Sequence, residues 1–326
     1  MRIVIYSLLD MEKACYDGLK EKYGAEFVFT KESPNTENIK LAHGADAICV
    51  ITTSVTSDLI DAFYKEGVRY IATRTAGYDH IDISRAKEIG MGVGNSTYSP
   101  DNVAEYTVML MLMAERNIKT IFNSYQNQDF SLRNIQGCLL RDLTIGIIGT
   151  GKIGMQVVRM LKGFGCKILT YNRSQKKEMQ GLVTYVALDE LYEKSDIISL
   201  HMPATDENFH MINKEVINSM KDGAIIINTA RGALIDTDAL IEGLENGKLG
   251  GAALDVIEDE TIYYYKDFKN TVIPQRNMAI LRAMPNVILT PHTAFHTRQA
   301  LDEMVKNAVA GCIAEIQGKE NPWKIA

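Results

Sequence analysis

A strand, a glycine turn and a helix follow one another in Leu143–Gly154, and this stretch constrains the fold more than any other. Residues 144–148 form a short apolar run rich in β-branched side chains, which is typical of a buried strand. The next residues match G-x-G-x-x-G, in which Gly149 permits a tight turn and Gly151 lets a pyrophosphate approach the backbone. A glycine-rich turn without a ligand is the alternative, but the strand before and the helix after it favour a dinucleotide site. The predicted contacts are Gly149, Gly151, Lys152, Ile153 and Gly154.

Composition indicates an ordinary globular chain with enough residues for two cores. Of 326 residues, 46% are hydrophobic and 23% are charged. The net charge of −6 argues against a nucleic-acid partner, and the longest apolar run near the middle is far shorter than a membrane span. The five cysteines are scattered and form no C-x-x-C pair, and the chain opens in a strand-like run. We therefore expect reduced thiols, no signal peptide, no metal site and a cytoplasmic location.

Short apolar runs alternate with helical patterns in two blocks of the chain, which indicates parallel α/β sheets. In the first block, strands are predicted at 3–9, 26–30, 47–52, 69–73 and 91–94, with helices at 12–23, 35–43, 57–66 and 82–90. In the second block, six strands are predicted at 144–148, 166–171, 196–200, 224–228, 250–254 and 286–290, which describe a complete Rossmann domain. A last amphipathic helix is predicted at 297–317.

The helix that begins at Ser99-Pro100 is apolar nearly all round, so we expect it to be deeply buried. Its partner could be a second subunit or the core of its own chain, because both would produce the same pattern.

Polar side chains follow the last three predicted strands of the second block. Arg231 follows one strand, the acidic residues Glu258, Asp259 and Glu260 follow the next, and His292 follows the last. Because ligands bind beyond the carboxyl ends of parallel strands, these side chains should share an edge with the glycine turn.

Hydride transfer to a 2-oxo acid needs such a set of side chains. An arginine can bind a carboxylate and polarise a carbonyl with its forked donors, and a histidine can exchange the hydroxyl proton near neutral pH. A carboxylate beside the histidine holds its tautomer. Taken singly, Arg231 could form a surface ion pair, His292 could be structural, and the acidic run could be a solvated turn. Their joint position favours catalysis.

Six motifs carry a resemblance that covers almost the whole chain. They are the glycine turn, Thr73–Asp82, Tyr98–Tyr106, Asn228–Gly232, Gly250–Val256 and Pro291–Phe295. With them the chain resembles the D-isomer-specific 2-hydroxyacid dehydrogenases, and most of all their D-lactate dehydrogenase branch, which includes the vancomycin-resistance D-lactate dehydrogenases.

The resemblance implies two Rossmann-like domains with parallel sheets, the cofactor domain (100–296) being inserted into the substrate domain (1–99 and 297–326). It implies reversible NAD(P)H-dependent reduction of a 2-oxo acid, with pyruvate to D-lactate as the first candidate. From the apolar helix after Ser99-Pro100 we expect a homodimer formed through the cofactor domain. The same chemistry on 2-oxoisocaproate or phenylpyruvate is one alternative. A cofactor-sensing interaction protein, like the related C-terminal-binding corepressors, is another.

The resemblance also implies a role for individual residues. Arg231 would bind the substrate, His292 would be the acid/base, and Glu260 would orient His292. The implied substrate contacts are Ala76, Gly77, Tyr98, Phe295 and His296, and further cofactor contacts are Met202, Pro203, Thr205, Thr229, Ala230 and Asp255. Many D-lactate dehydrogenases have a tyrosine where this chain has His296, which leaves the preferred 2-oxo acid open.

The second predicted strand of the Rossmann domain ends without the acidic residue that usually bonds the ribose hydroxyls of NADH. The residues there are Asn172, Arg173 and Ser174, which could bind a 2′-phosphate through the guanidinium and the hydroxyl. The sequence therefore favours NADP(H). NAD(H) stays possible, with Asn172 bonding the ribose and Arg173 solvated.

Overall fold

The structure, a computed structural model, describes all residues from Met1 to Ala326, and these divide into two units. Unit 1 contains Met1–Ser99 and His296–Ala326, and unit 2 contains Pro100–Phe295. The chain thus leaves unit 1 once, builds unit 2 and returns. The division places His296 in unit 1, one residue earlier than the sequence-based boundary. No helix is long and apolar enough to span a membrane.

Unit 1 is a five-stranded parallel sheet in the order β2-β1-β3-β4-β5 with helices against it. The central strands are apolar and buried along their whole length, as expected for a parallel sheet covered on both faces. The last helix of the chain packs on β3 and β4. The elements are β1 (Arg2–Ile5), α1 (Lys13–Tyr23), β2 (Glu26–Phe29), β3 (Ala47–Val50), α2 (Ser57–Lys65), β4 (Tyr70–Thr73), α3 (Ile83–Ile89), β5 (Gly92–Gly94) and α11 (Arg298–Ile316).

The helix predicted at 35–43 was wrong in length and type. Only a short 3-10 turn forms there, at Ile39–Ala42. The side chain of Asn35 accepts hydrogen bonds from the backbone N–H groups of Glu37 and Asn38, and that of Asn38 accepts from Asn35 N–H. These local bonds compete with the helical ladder, so the segment forms turns instead.

Unit 2 is a seven-stranded parallel sheet in the order β12-β11-β10-β9-β6-β7-β8. This is the Rossmann strand order with one further strand at the edge. The elements are α4 (Asp101–Glu115), α5 (Ile118–Gln126), β6 (Thr144–Ile148), α6 (Lys152–Lys162), β7 (Lys167–Tyr171), β8 (Thr184–Tyr185), α7 (Leu188–Lys194), β9 (Ile197–Leu200), α8 (Lys214–Ser219), β10 (Ala224–Asn228), α9 (Thr237–Glu245), β11 (Leu249–Leu254), α10 (Arg276–Ala283) and β12 (Val287–Leu289).

The prediction of six strands in this block was wrong by one, because β8 was missed. With only two residues, this strand is too short to show a hydrophobic period. The strong apolar helix is α4, which packs on α6 and on β10 within unit 2. Val103, Ala104 and Leu110 are buried there, whereas Met109 keeps 39% of its surface exposed. The core of its own chain therefore accounts for part of this apolar surface only.

Candidate active site

Three neighbouring strands of unit 2 end at the same level of the sheet. Asn228 is paired with Leu254, and Leu254 with Leu289, in the parallel registers of β10, β11 and β12. The ladder continues one step past the strands, since Asp255 N–H donates to Asn228 O (2.9 Å) and Thr290 N–H to Leu254 O (3.0 Å). The turns that carry Arg231, Glu260 and His292 therefore leave from one edge. The glycine turn after β6 leaves from the same edge, because all strands are parallel.

His292 and Glu260 are in direct contact. The Nδ1 atom of His292 lies 2.5 Å from Oε1 of Glu260, and the two side chains are 27% and 19% exposed. The other carboxylate oxygen of Glu260 accepts from Ile257 N–H (3.2 Å), which fixes the carboxylate on its own loop. Because Nδ1 faces Glu260, Nε2 is the ring nitrogen of His292 that remains to exchange a proton with a substrate.

The backbone of His292 adopts a left-handed conformation (φ +50°) that is uncommon for a residue other than glycine. Its N–H donates to Asp255 O (2.8 Å) and to Thr290 O (3.0 Å), and its carbonyl accepts from the hydroxyl of Tyr265 (2.8 Å). The sequence analysis did not identify Tyr265. It belongs to the run Tyr263-Tyr264-Tyr265, and nothing in the sequence distinguishes the three residues.

Asp255 organises the loop that carries His292. This carboxylate is buried and accepts from the hydroxyl of Thr290 (2.5 Å) and from the backbone N–H groups of Thr293 (2.8 Å) and Ala294 (2.9 Å). From the sequence, Asp255 was expected to contact the cofactor instead. That contact stays a prediction, whereas the structure gives Asp255 a positioning role.

The turn that carries Arg231 is fixed by the last residue of β10. The side chain of Asn228 accepts from Ala230 N–H (3.0 Å) and donates to Arg231 O (2.8 Å). The hydroxyls of Thr229 and Thr107 lie 2.8 Å apart, which ties the turn to α4. The guanidinium of Arg231 is partly buried and donates to Ala230 O (2.7 Å).

The other two acidic residues of the loop face elsewhere. Glu258 lies 2.6 Å from Nε2 of His210 and accepts from Thr237 N–H (3.1 Å), so it anchors the loop to the start of α9. Asp259 is exposed. Spacing alone could not assign these roles, because the three carboxylates belong to three consecutive residues.

The glycine turn has the shape that a pyrophosphate requires. Gly149 has φ +96°, and a Cβ there would lie 2.4 Å from His201 O, whereas a Cβ on Gly154 would lie 2.0 Å from Gly149 O. A Cβ on Gly151 would meet nothing within 4 Å, so this position faces open space. The buried hydroxyl of Thr150 has no hydrogen-bond partner. Helix α6 begins at Lys152, directly after this turn. The glycine backbone, the N-terminus of α6 and the hydroxyl of Thr150 together suit a phosphate group.

Further predicted cofactor contacts follow β7 and β9, the strands on either side of β6 in the sheet. The carboxamide of Asn172 accepts from Thr150 N–H (3.0 Å) and donates to Ser174 O (2.7 Å). Arg173 forms an exposed ion pair with Glu207 (2.5 Å).

The predicted contacts after β9 are Met202, Pro203 and Thr205. The side chain of Asn208 donates to the carbonyl of Pro203 and accepts from the N–H of Thr205.

The predicted substrate contacts Ala76 and Gly77 lie in unit 1, in the loop after β4. Their carbonyls accept from Asn95 (2.7 Å) and from the hydroxyl of Thr75 (2.6 Å), which fixes the orientation of both peptide groups. Tyr98 is partly buried in the same unit. In unit 2, the ring of Phe295 lies edge-on to His292 at 6.2 Å. His296, the next residue, belongs to unit 1 and is exposed.

Comparison with known proteins shows which family this chain is similar to. The sequence model for the NAD binding domain of the D-isomer specific 2-hydroxyacid dehydrogenases matches residues 108–294. The chain is 43% identical to a D-specific alpha-keto acid dehydrogenase of Enterococcus faecium, over 95% of this chain and 96% of the relative. It is 40% identical to an aromatic 2-oxoacid reductase of Clostridium sporogenes, over 94% of this chain and 93% of the relative.

Solved structures show the same likeness along the full chain. A D-lactate dehydrogenase of Treponema pallidum superposes with a TM-score of 0.90 at 34% identity and covers 100% of both chains. A D-lactate dehydrogenase of Lactobacillus jensenii, solved with NAD+, superposes with a TM-score of 0.87 at 31% identity and also covers 100% of both chains.

Proposed function

The chain belongs to the family of D-isomer-specific 2-hydroxyacid dehydrogenases, and on this premise we propose that it reduces pyruvate to D-lactate with a reduced nicotinamide cofactor. The observation that carries the proposal is the contact between His292 and Glu260, at the sheet edge that also presents Arg231 and the glycine turn.

Each side chain of this set has a distinct role in the proposed reaction. Arg231 binds the carboxylate and the carbonyl oxygen of the 2-oxo acid with its forked donors. The nicotinamide, when bound, supplies the hydride for C2. His292 gives the proton on Nε2 to the carbonyl oxygen, which becomes the hydroxyl of the product. Glu260 holds the ring and stabilises the imidazolium before the transfer.

The remaining predicted contacts complete the proposal. Ala76 and Gly77 bind the substrate carboxylate, and Tyr98, Phe295 and His296 line the pocket. The cofactor is bound by the glycine turn and by Asn172, Arg173, Ser174, Met202, Pro203, Thr205, Thr229, Ala230 and Asp255.

A bulkier 2-oxo acid is the second candidate substrate. A relative that is 40% identical is named an aromatic 2-oxoacid reductase, and the rings of Tyr265 and Phe295 lie 6.4 Å and 6.2 Å from that of His292. Aromatic rings beside His292 offer an apolar surface that suits a 2-oxo acid with a bulky apolar side chain.

We further propose that the protein uses both NADPH and NADH. Asn172 carries no charge that would repel a 2′-phosphate, which favours NADPH. Two observations argue against a strong preference for NADPH. Arg173 is paired with Glu207 at the surface, and a D-lactate dehydrogenase with the same fold was solved with NAD+.

Steady-state kinetics on a panel of 2-oxo acids tests the substrate. Pyruvate, 2-oxoisocaproate and phenylpyruvate are each reduced with NADH and with NADPH. The proposal expects the highest kcat/KM with pyruvate. A kcat/KM at least about tenfold higher for either bulkier acid would make that acid the preferred substrate.

A homodimer formed through unit 2 and a cytoplasmic location are also parts of the proposal. An apolar groove of about 640 Å³ lies between α4 and α5 and includes Met109, Leu112 and Ile121. Phe122 and Tyr125 of α5 are 60% and 68% exposed, so this face offers a large apolar surface to a second copy. All five cysteines are free thiols, as is usual in the cytoplasm.

A further inference from the structure

An acidic residue faces the arginine at the adenosine end of the cofactor site. Oε2 of Glu207 lies 2.5 Å from Nη2 of Arg173, and the two side chains are 77% and 79% exposed. Arg173 comes directly after Asn172, which is bonded to Thr150 N–H in the glycine turn. Asn172 therefore stands where a Rossmann domain normally carries its ribose-binding carboxylate. Glu207 lies in the 3-10 turn Asp206–Asn208, after β9.

We propose that Glu207 sets the cofactor preference, because it binds the guanidinium that a 2′-phosphate would otherwise use. This inference rests on the proposed function and adds to it a specificity-determining residue. The carboxylate that opposes NADPH is absent from its usual place at the end of β7 and is supplied instead by the turn after β9.

The charges of Arg173 and Glu207 explain why the pair should weaken NADPH binding without abolishing it. Arg173 and Glu207 together are neutral, so a 2′-phosphate gains little at this corner while the pair is intact. To bind the phosphate, Arg173 must leave Glu207, whose charge then repels the phosphate. The pair is exposed and therefore weak, so a dianion can displace it. NADPH is thus disfavoured but not excluded.

The substitution Glu207→Gln removes the charge and keeps the size of the side chain. The turn should stay intact, because Thr205 N–H is held by Asn208 and not by Glu207. We expect the Kd of NADP+, measured by isothermal titration calorimetry, to fall on the order of tenfold relative to that of NAD+. The ratio of kcat/KM for NADPH to that for NADH should rise by a similar factor. Arg173→Gln should have the opposite effect: the Kd of NADP+ relative to that of NAD+ should rise, and the ratio of kcat/KM for NADPH to that for NADH should fall.

Glu242→Gln is the matched control. Glu242 also forms an exposed ion pair in unit 2, with Lys214 on α8 (2.6 Å), but it lies on α9, away from β7. This variant loses the same charge and should leave the cofactor ratio unchanged. An equal shift in Glu242→Gln would show that only the net charge matters and would contradict the proposal.

The double variant tests whether Glu207 acts through Arg173. In the Arg173→Gln background, Glu207→Gln should gain less affinity for NADP+ than in the parent, because it then relieves only the repulsion between Glu207 and the phosphate and no longer frees a guanidinium. An undiminished gain there, or no gain in the parent, would contradict the proposal. The calorimetric arm needs no turnover. Failure of the parent to reduce any 2-oxo acid would therefore count against the proposed function alone, and unchanged binding ratios against this inference alone.

Discussion

At the scale of single residues, the site depends on how His292 is held. A left-handed backbone costs a residue with a Cβ about 1–2 kcal/mol, so the surrounding contacts must impose the conformation of His292. Asp255 and Tyr265 hold its backbone, and Glu260 holds its ring. Tertiary contacts of this kind link positions far apart in the chain, which is why the sequence identified His292 but not Tyr265.

The carboxylate of Glu260 should affect the chemical step more than binding. Glu260→Gln keeps the size of the side chain but removes the charge that, in the proposed mechanism, stabilises the imidazolium. We expect kcat to fall on the order of 10²-fold, with the Kd of the cofactor nearly unchanged. Asp259→Asn is the control, because this exposed neighbour should keep kcat within about twofold. Similar losses in the two variants would remove Glu260 from the mechanism.

His201, beneath the glycine turn, should make the stability depend on pH. Burial lowers the pKa of His201 to about 4 from the ordinary value of 6.5. Below about pH 6.5 the unfolded chain takes up a proton that the folded protein refuses until about pH 4. The free energy of unfolding should therefore decrease as the pH falls through this window, by at most about 3 kcal/mol from this residue.

Urea unfolding of the parent and of His201→Gln between pH 7 and pH 4 measures this contribution. The variant should lose less stability over the window than the parent. Parallel curves would show that His201 does not titrate in this way.

At the scale of elements, different glycines of the strand–turn–helix unit of β6 and α6 should serve stability and cofactor binding. A Cβ on Gly154 would collide with the carbonyl of Gly149, whereas one on Gly151 would project into open space. Gly154→Ala should therefore lower the melting temperature, since overpacking costs about 1–3 kcal/mol. Gly151→Ala should keep the melting temperature and raise the Kd of the cofactor at least about tenfold, because the methyl group occupies the path of the pyrophosphate.

Thermal unfolding and calorimetric titration of the two variants provide both readouts. If Gly151→Ala bound the cofactor as tightly as the parent, the phosphate site would not be at this turn.

The sequence predicted elements well where a physical signal was strong. The α/β class, the family and the helix now seen as α11 are confirmed. The two-residue strand β8 was missed because it has no period, and Asn35 turned a predicted helix into turns through its side chain. Spacing placed three carboxylates after β11 but could not show that Glu258 faces His210, because the direction of each side chain depends on the loop.

At the scale of the whole molecule, the exposed apolar face of α4 and α5 has a testable consequence. Phe122→Glu places a charge on this face and should convert a dimer into monomers, because a twofold interface would bury the charge twice. Val272→Glu is the control, since Val272 is 85% exposed and lies on neither α4 nor α5. Light scattering coupled to size-exclusion chromatography measures both masses. A parent that is monomeric at micromolar concentration would contradict the dimer.

At the centre of the proposed function, unit 2 carries out stereospecific proton and hydride transfer with His292 as the acid. The most direct test is chiral chromatography of the product from pyruvate and reduced cofactor, for the parent and for His292→Ala. The account predicts D-lactate alone from the parent, and a variant whose kcat is about 10²–10⁴-fold lower while the Kd of the cofactor stays within about threefold. L-lactate or a racemate from the parent, or a variant with kcat reduced less than about threefold, would contradict it.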